Sequence, residues 1–409
     1  MRILHTSDWH LGRSLYRQKR YDEFERFLQW LSTTIQEEEV NALLISGDIF
    51  DTGTPSNLAQ ELYYQFLNRV ARSCCRHVVV TGGNHDSPSF LNAPAQLLQA
   101  LHVHVVGCAL QNPEDEVLTL LGPDGTAELI VCAVPYLRDR DIRVSQATEQ
   151  IEDKERKLAQ GIQDHYNAVI SKAREQQTKL GAKVPLVVMG HLFTTGAQTI
   201  DGDGVRELYV GSLSRVDAGI FSHNIDYLAL GHLHVPQTVQ GSEIMRYSGS
   251  PLPMGFGEAK QKKSLCLVDF SPQAPRVQLM DVPVFQQMEQ IKGDLETIET
   301  RIAQLHETNM PVWLEIIYEG EAIVSNLRDT LERAVTGTQL EILRIKNTRV
   351  MDHVMKQCRE GETLEDLDVN EVFERCLAVH EVPKDQRPEL LGTYQETLTS
   401  LFEDDLRAQ

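Results

Sequence analysis

His77-Val78-Val79-Val80-Thr81-Gly82-Gly83-Asn84-His85-Asp86 is a β-type run that breaks at two glycines and ends in three polar side chains. Four other segments share this design: Leu4-His5-Thr6-Ser7-Asp8-Trp9-His10, Leu44-Ile45-Ser46-Gly47-Asp48, Val188-Met189-Gly190-His191 and Leu230-Gly231-His232-Leu233-His234. In α/β sheets, sites form in the crevice beyond the carboxyl ends of the strands. A glycine ahead of a ligand lets the chain turn sharply and come close to an ion. Asp-x-His and His-x-His are expected to put two side chains on one side of an extended segment, aimed at one pocket.

The surrounding sequence has the texture of a layered α/β domain. Short apolar runs recur at Ile3–His5, Ala42–Ser46, His77–Thr81, Leu129–Val134, Leu186–Met189, Tyr227–Leu230 and Ser264–Phe270. Between them, Phe24, Phe27, Leu28, Leu31 and Ile35 follow helical spacing, as do Leu158, Ile162, Tyr166, Val169 and Ala173. Strands apolar on both faces, alternating with helices, predict buried sheets covered by helical layers. Residues Val103 to Val134 carry several strands and a Gly122-Pro123-Asp124-Gly125 turn but no helix, so part of the sheet is expected to be antiparallel or mixed.

Beyond Asp281 the pattern changes. A helix over Leu295–Leu305, a strand at Val312–Tyr318, a helix over Ala322–Val335 and a strand at Leu340–Lys346 predict a small α+β, βαβ-like capping module. After a polar link come two amphipathic helices, Asp368–His380 and Pro388–Phe402, the first opened by a cap-like Asp368…Glu371 pair. Two helices make no core of their own and must dock on something. The predicted division is 1–280, 281–350 and 351–409.

Composition bounds the class without naming a partner. The 409 residues carry 39 Lys and Arg against 59 Asp and Glu, a formal charge of −20. That balance repels nucleic acid on average, but bound divalent cations reverse the field where they sit, so DNA or RNA is not excluded. Seven scattered cysteines, without a C-x-x-C spacing, make neither a disulfide framework nor a zinc ribbon. The N-terminus enters a strand at once, and no apolar stretch is long enough for a bilayer, so a cytoplasmic, reduced protein with no membrane partner is expected.

The five segments together offer Asp8, His10, Asp48, Asn84, His191, His232 and His234 as metal ligands. Oxygen and imidazole donors without thiolate suit Mn²⁺ or Fe²⁺ better than structural Zn²⁺. Seven such groups suffice for two divalent cations sharing one carboxylate, and Asp48, the lone acid of its segment, is the natural bridge. Asp8, His10, Asp48 and His234 are assigned to one ion, and Asp48, Asn84, His191 and His232 to the other. Two cations so held activate water and clamp both oxygens of an in-line displacement at phosphorus. His85 is assigned to protonate or stabilise the leaving oxygen, with Asp86 orienting it. A single histidine at a strand end is more often a hydrogen-bonded structural residue, and Gly-Asp alone is often a turn. Five such segments in this order outweigh that reading. Trp9, between two ligands, is expected to pack rather than stack on substrate. Arg13, Arg17, Lys19, Arg20, Arg138, Arg140, Arg143, Lys260, Lys262 and Lys263 are candidate phosphate contacts.

The motif set D-x-H, G-D, G-N-H-D, G-H and G-H-x-H resembles that of the calcineurin-like metallophosphoesterases over residues 1–235. The strings Pro135-Tyr136-Leu137-Arg138-Asp139-Arg140-Asp141-Ile142, 190–197 and 247–258 are similar to the SbcD branch, the nuclease subunits of bacterial SbcC–SbcD complexes. This resemblance implies two β-sheets in a sandwich flanked by helices, Mn²⁺ dependence and a homodimer. It also implies ATP-dependent exonuclease and endonuclease action on DNA ends and hairpins, in repair, recombination and replication. The capping module and C-terminal helices match the same branch, in which the helices grip an SMC-like SbcC ATPase. One position departs from some relatives, which carry a histidine where this chain has Asp51. Two other readings stay open from the residues: a small-molecule phosphodiesterase of the same superfamily, and a scaffold that has lost its metals.

Overall fold

The computed structural model describes residues 1–142, 151–181, 184–194, 216–221, 225–271, 274–320, 324 and 326–347, together with Phe373, Leu377, Arg387, Leu390, Leu391 and Tyr394. The chain divides into two compact units, Met1–Phe285 and Gln286–Gln409. The boundary lies a few residues beyond the sequence division at 280, because Val282 still packs in the first core and Phe285 lies against it.

The first unit is built on two six-stranded sheets. One runs in the order Arg276–Asp281, Ser264–Asp269, Arg2–Thr6, Ala42–Ser46, His77–Thr81, Val103–Val106. The other runs Gln237–Val239, Ser242–Tyr247, Tyr227–Gly231, Leu186–His191, Ala127–Ala133, Val117–Leu121. Both are mixed, as expected: the central strands pair in parallel, while 264–281 and 117–133 form antiparallel pairs.

Alternation along each strand explains why both faces had to be apolar. Ala42 and Leu44, with Val187 and Met189, join a core between the sheets, where Tyr227 and Ala229 also lie. Leu43 and Ile45 face the opposite way, onto Phe24, Phe27, Leu28 and Leu31 of the helix Tyr21–Glu37 and Leu62, Phe66 and Leu67 of the helix Asn57–Val70. Leu186, Val188, Leu228 and Leu230 face Ile162, Tyr166, Val169 and Ala173 of the long helix Ile151–Leu180. The layers are therefore helix, sheet, sheet, helix. Trp9 is fully buried, edge-to-face with Phe27 and Phe66, and its indole N–H donates to Thr6 Oγ1 at 2.9 Å.

The second unit holds three parallel strands, Gln287–Gly293, Val312–Tyr318 and Leu340–Asn347. The helices Leu295–Glu307 and Leu327–Val335 connect them, and Ile298, Ile302, Leu327 and Leu331 are buried with the strand residues. Two elements differ from the sequence reading. Gln287–Gly293 is a strand that the sequence hides, since only Met288 and Ile291 of its seven residues are buried. The second helix starts at Leu327 rather than Ala322, and Ile323 lies outside the described residues. Most of the two expected C-terminal helices and their Asp368…Glu371 cap also lie outside them. The six residues that are described there are helical, and the Phe373 and Tyr394 rings stack with centroids 4.0 Å apart.

The sheets pinch together at the carboxyl ends of their central strands. Ser46 Oγ donates to the Ala229 carbonyl at 3.0 Å, and a Cβ at Gly231 would overlap the Ser46 carbonyl. Gly231→Ala should therefore push the sheets apart and destabilise the first unit by about 1–3 kcal/mol, read as a lower denaturant midpoint with an unchanged slope.

Candidate metal centre

All five polar segments leave their strands at this pinch. The loops after Arg2–Thr6 and Ala42–Ser46 are zipped by backbone bonds: Asp8 N–H to Gly47 O at 3.0 Å, His10 N–H to Asp48 O at 3.0 Å and Leu11 N–H to Ile49 O at 2.9 Å. Asp8, His10 and Asp48 adopt φ of 54°, 49° and 50°, and His232 adopts 102°. This corrects the expectation that D-x-H and H-x-H aim their side chains from an extended segment. Left-handed backbone turns aim them instead, at about 1–3 kcal/mol of strain each, and the surrounding bonds hold that strain in place. At Gly83 the reason for glycine is plain, because a Cβ there would collide with the backbone and carboxylate of Asp48.

The seven predicted side chains fall into two groups around Asp48. On one side, His10 Nε2 lies 3.2 Å from His234 Nε2 and 3.7 Å from Asp48 Oδ2, and donor atoms of Asp8, His10 and His234 converge. On the other, Asn84 Oδ1 lies 2.9 Å from His191 Nε2 and 3.0 Å from His232 Nδ1, while His191 Nε2 lies 3.3 Å from Asp48 Oδ2. The groups are laced together, since the His232 N–H donates to Asp8 Oδ1 at 3.0 Å and the His85 N–H to Asp48 Oδ1 at 2.9 Å. Asp8 and His10 are fully buried, and Asp48, His191 and His234 nearly so.

The electrostatics fit a cation site. Burial pushes the Asp8 carboxyl above its ordinary value. Burial lowers His10 to about 4 and His232 to about 3, leaving both as neutral donors. Burial would raise Asp48, but His191 beside it holds it well below the usual carboxylate range. Burial would likewise lower His191, yet the Asp48 carboxylate carries it up to about 9. Two buried carboxylates thus share a cavity with the neutral imidazoles of His10 and His232 and with one positive partner, His191 beside Asp48. Further positive charge there lowers the cost of burying both acids. Oxygen and imidazole donors of this kind suit divalent first-row cations.

One expected role is corrected. Asp86 does not orient His85. Its carboxylate accepts from the backbone N–H groups of Ile49 at 3.2 Å, Phe50 at 3.0 Å and Gly83 at 2.8 Å, which ties two site loops together. Burial, reinforced by Asp48, pushes it up to about 6. His85 is oriented by the Asp51 backbone carbonyl, to which its Nδ1 donates at 2.9 Å.

A family profile described as "Calcineurin-like phosphoesterase" matches residues 1–236, and one described as "Type 5 capsule protein repressor C-terminal domain" matches 284–381. The chain is 36% identical over 407 residues to the SbcD subunit of nuclease SbcCD from Escherichia coli strain K12, covering 98% of both chains. It is 34% identical over 274 residues to the corresponding SbcCD protein of Bacillus subtilis strain 168, covering 66% of this chain and 67% of that one. The chain belongs to the SbcD family of calcineurin-like phosphoesterases.

As a member of the SbcD family it is a metal-dependent phosphodiesterase with a nuclease role. Two acids stand behind the predicted histidines: Asp51, noted in the sequence only as a departure from some relatives, and Glu258, to which the sequence reading gave no role. Asp51 Oδ1 lies 3.3 Å from His10 Nδ1, and Glu258 Oε1 lies 3.5 Å from His234 Nδ1. Glu258 stands in a string that carried the family resemblance, but no local spacing ties it to His234, which is 24 residues away. Two basic candidates are also corrected, since Arg20 is buried on Glu23 at 2.7 Å and Lys263 is buried against Glu258. Arg138 is half-buried and donates to the Asp86 carbonyl at 2.9 Å. Arg17, Lys19, Arg140, Lys260 and Lys262 are exposed, while Arg143 lies outside the described residues.

Cation binding should stabilise this fold. At Mn²⁺ about 100-fold above the dissociation constant, each site adds about 2.7 kcal/mol, so thermal melts of the wild-type chain should shift upward. Asp48→Asn, which removes the charge shared by both groups, should lose most of that shift.

Proposed function

We propose that this chain is the nuclease subunit of an SbcC–SbcD-type assembly, cleaving DNA phosphodiester bonds at a pair of Mn²⁺-like cations. Asp8, His10, Asp48 and His234 would hold one cation, and Asp48, Asn84, His191 and His232 the other. The observation that carries the reading is the gathering of these seven buried and half-buried side chains on two sides of Asp48. A bound pair of divalent cations supplies Lewis acidity at phosphorus and an activated water.

The chain's own residues supply orientation and proton transfer. His85 donates Nδ1–H to the Asp51 carbonyl, which fixes its ring and leaves Nε2 as the nitrogen for the leaving oxygen. Its ring packs edge-to-face on His10 with centroids 4.8 Å apart, which places it beside the cation-holding groups. The exposed Arg17, Lys19, Lys260 and Lys262 provide local positive charge for the phosphate backbone of DNA in a chain of net charge −20.

Partner docking belongs to the C-terminal region. The relative from Escherichia coli is named as one subunit of a larger nuclease, SbcCD, and this chain aligns with nearly all of it. In the same reading residues 364–409, where the sequence predicts two amphipathic helices, grip an SbcC-type ATPase, and the assembly is a homodimer acting on DNA ends and hairpins.

A Mn²⁺ assay on a linear duplex and on hairpin DNA, with and without an SbcC-type ATPase and ATP, tests this reading against a panel of nucleotides. DNA degradation stimulated by ATP is expected. Hydrolysis of the nucleotides alone would favour a small-molecule phosphodiesterase. His85→Gln should lower cleavage by about 10²–10⁴-fold while Mn²⁺ and DNA binding are retained. Deleting residues 364–409 should abolish ATP stimulation and leave the metal-dependent activity of the isolated subunit. Full co-purification of that truncation with the ATPase would contradict the docking role.

A further inference from the structure

The two groups around Asp48 are backed differently. Asp51 Oδ1 stands 3.3 Å behind His10 Nδ1, and Glu258 Oε1 stands 3.5 Å behind His234 Nδ1. Both rings therefore turn Nε2 inward, where the two atoms lie 3.2 Å apart. Each backing carboxylate is itself held. Arg13 donates to Asp51 at 3.1 Å, while Lys263 Nζ and the Met254 N–H grip Glu258 at 2.5 and 3.0 Å. Lys263 Nζ also donates to the His234 carbonyl at 2.9 Å, so one clamp fixes both the ring and the backbone of His234.

The opposite group is held in another way. His191 Nδ1 donates to a neutral carbonyl, that of Ser46, at 2.9 Å. His232 turns Nδ1, not Nε2, toward Asn84 Oδ1. The Asp8 carboxylate converges both with His10 and His234 and with Asp48 and His191, so the two groups differ in what stands behind their rings rather than in shared charge.

We infer that the two cation sites are unequal, with Asp51 and Glu258 acting as positioning residues that make the His10–His234 site the tighter one. Both contacts are ion-pair separations rather than closed hydrogen bonds. A carboxylate so placed behind the distal nitrogen favours the proton on Nδ1 and makes Nε2 a stronger donor, and losing such a partner costs about 10–100-fold in metal affinity. The site of Asn84, His191 and His232 is the one that exchanges its cation. This inference rests on the two-cation reading above and goes further by ranking the sites.

Calorimetric Mn²⁺ titration of the chelator-treated full chain tests it, with electron paramagnetic resonance recorded at each step. The expected result is two binding classes differing by about tenfold or more, with the signal of an isolated ion before that of a coupled pair. Asp51→Asn should weaken only the tighter class, by about 10–100-fold, and Asp51→Glu should recover part of it. The Asp51 backbone carbonyl that holds His85 remains in both variants. Glu258→Gln should act on the same class, and if loss of the Lys263 partner prevents folding, the Asp51 pair carries the test alone. Two ions of equal affinity, or an Asp51→Asn effect on the weaker class, would overturn the ranking and leave the two-cation reading intact. Fewer than two ions at saturation would overturn both.

Discussion

Buried negative charge short of positive charge is the condition on which this molecule turns. Asp8 and Asp48 lie at the junction of two sheets, almost wholly out of water. Carboxylates there are tolerated only with strong donors or cations beside them. Backbone N–H groups of His232 and His85 and the Ser7 hydroxyl meet part of the demand. The His191 ring, carried up to about 9 beside Asp48, meets another part, while the imidazoles of His10 and His232 stay neutral and meet little of it. The remainder is the work of divalent cations, and the fold is arranged to admit them.

That arrangement is made by backbone more than by side chains. The sheets come together where Ser46 bonds to Ala229 and where Gly231 leaves room for the Ser46 carbonyl. Left-handed residues at Asp8, His10, Asp48 and His232 then turn the chain inward. Asp86 ties two of the loops by accepting three backbone N–H groups. Packing on the helical layers makes such strained turns tolerable, since Trp9, inside one of them, is locked between Phe27 and Phe66.

How much of this was legible depends on the range of the interaction. Apolar runs such as Ala42–Ser46 and Leu186–His191 announce themselves because both faces are buried. Gln287–Gly293 does not, since polar residues dominate it and parallel pairing with Val312–Tyr318 makes it a strand. All seven converging side chains stood directly after apolar strands, so position alone marked them. The groups behind them are another matter. Asp51 and Glu258 meet His10 and His234 only after folding, and Asp86 reads as a partner of its neighbour His85 although it serves Ile49, Phe50 and Gly83 instead. Burial of Arg20 and Lys263 is equally a tertiary fact, decided by Glu23 and Glu258.

Anomalous diffraction at the manganese absorption edge, from crystals of the full chain grown with Mn²⁺, tests the central claim most directly. Two peaks are predicted, one on each side of the Asp48 carboxylate, within coordinating distance of the His10–His234 and Asn84–His191–His232 groups. A centre that takes up no ion there, or takes ions that leave Asp48 untouched, would contradict it.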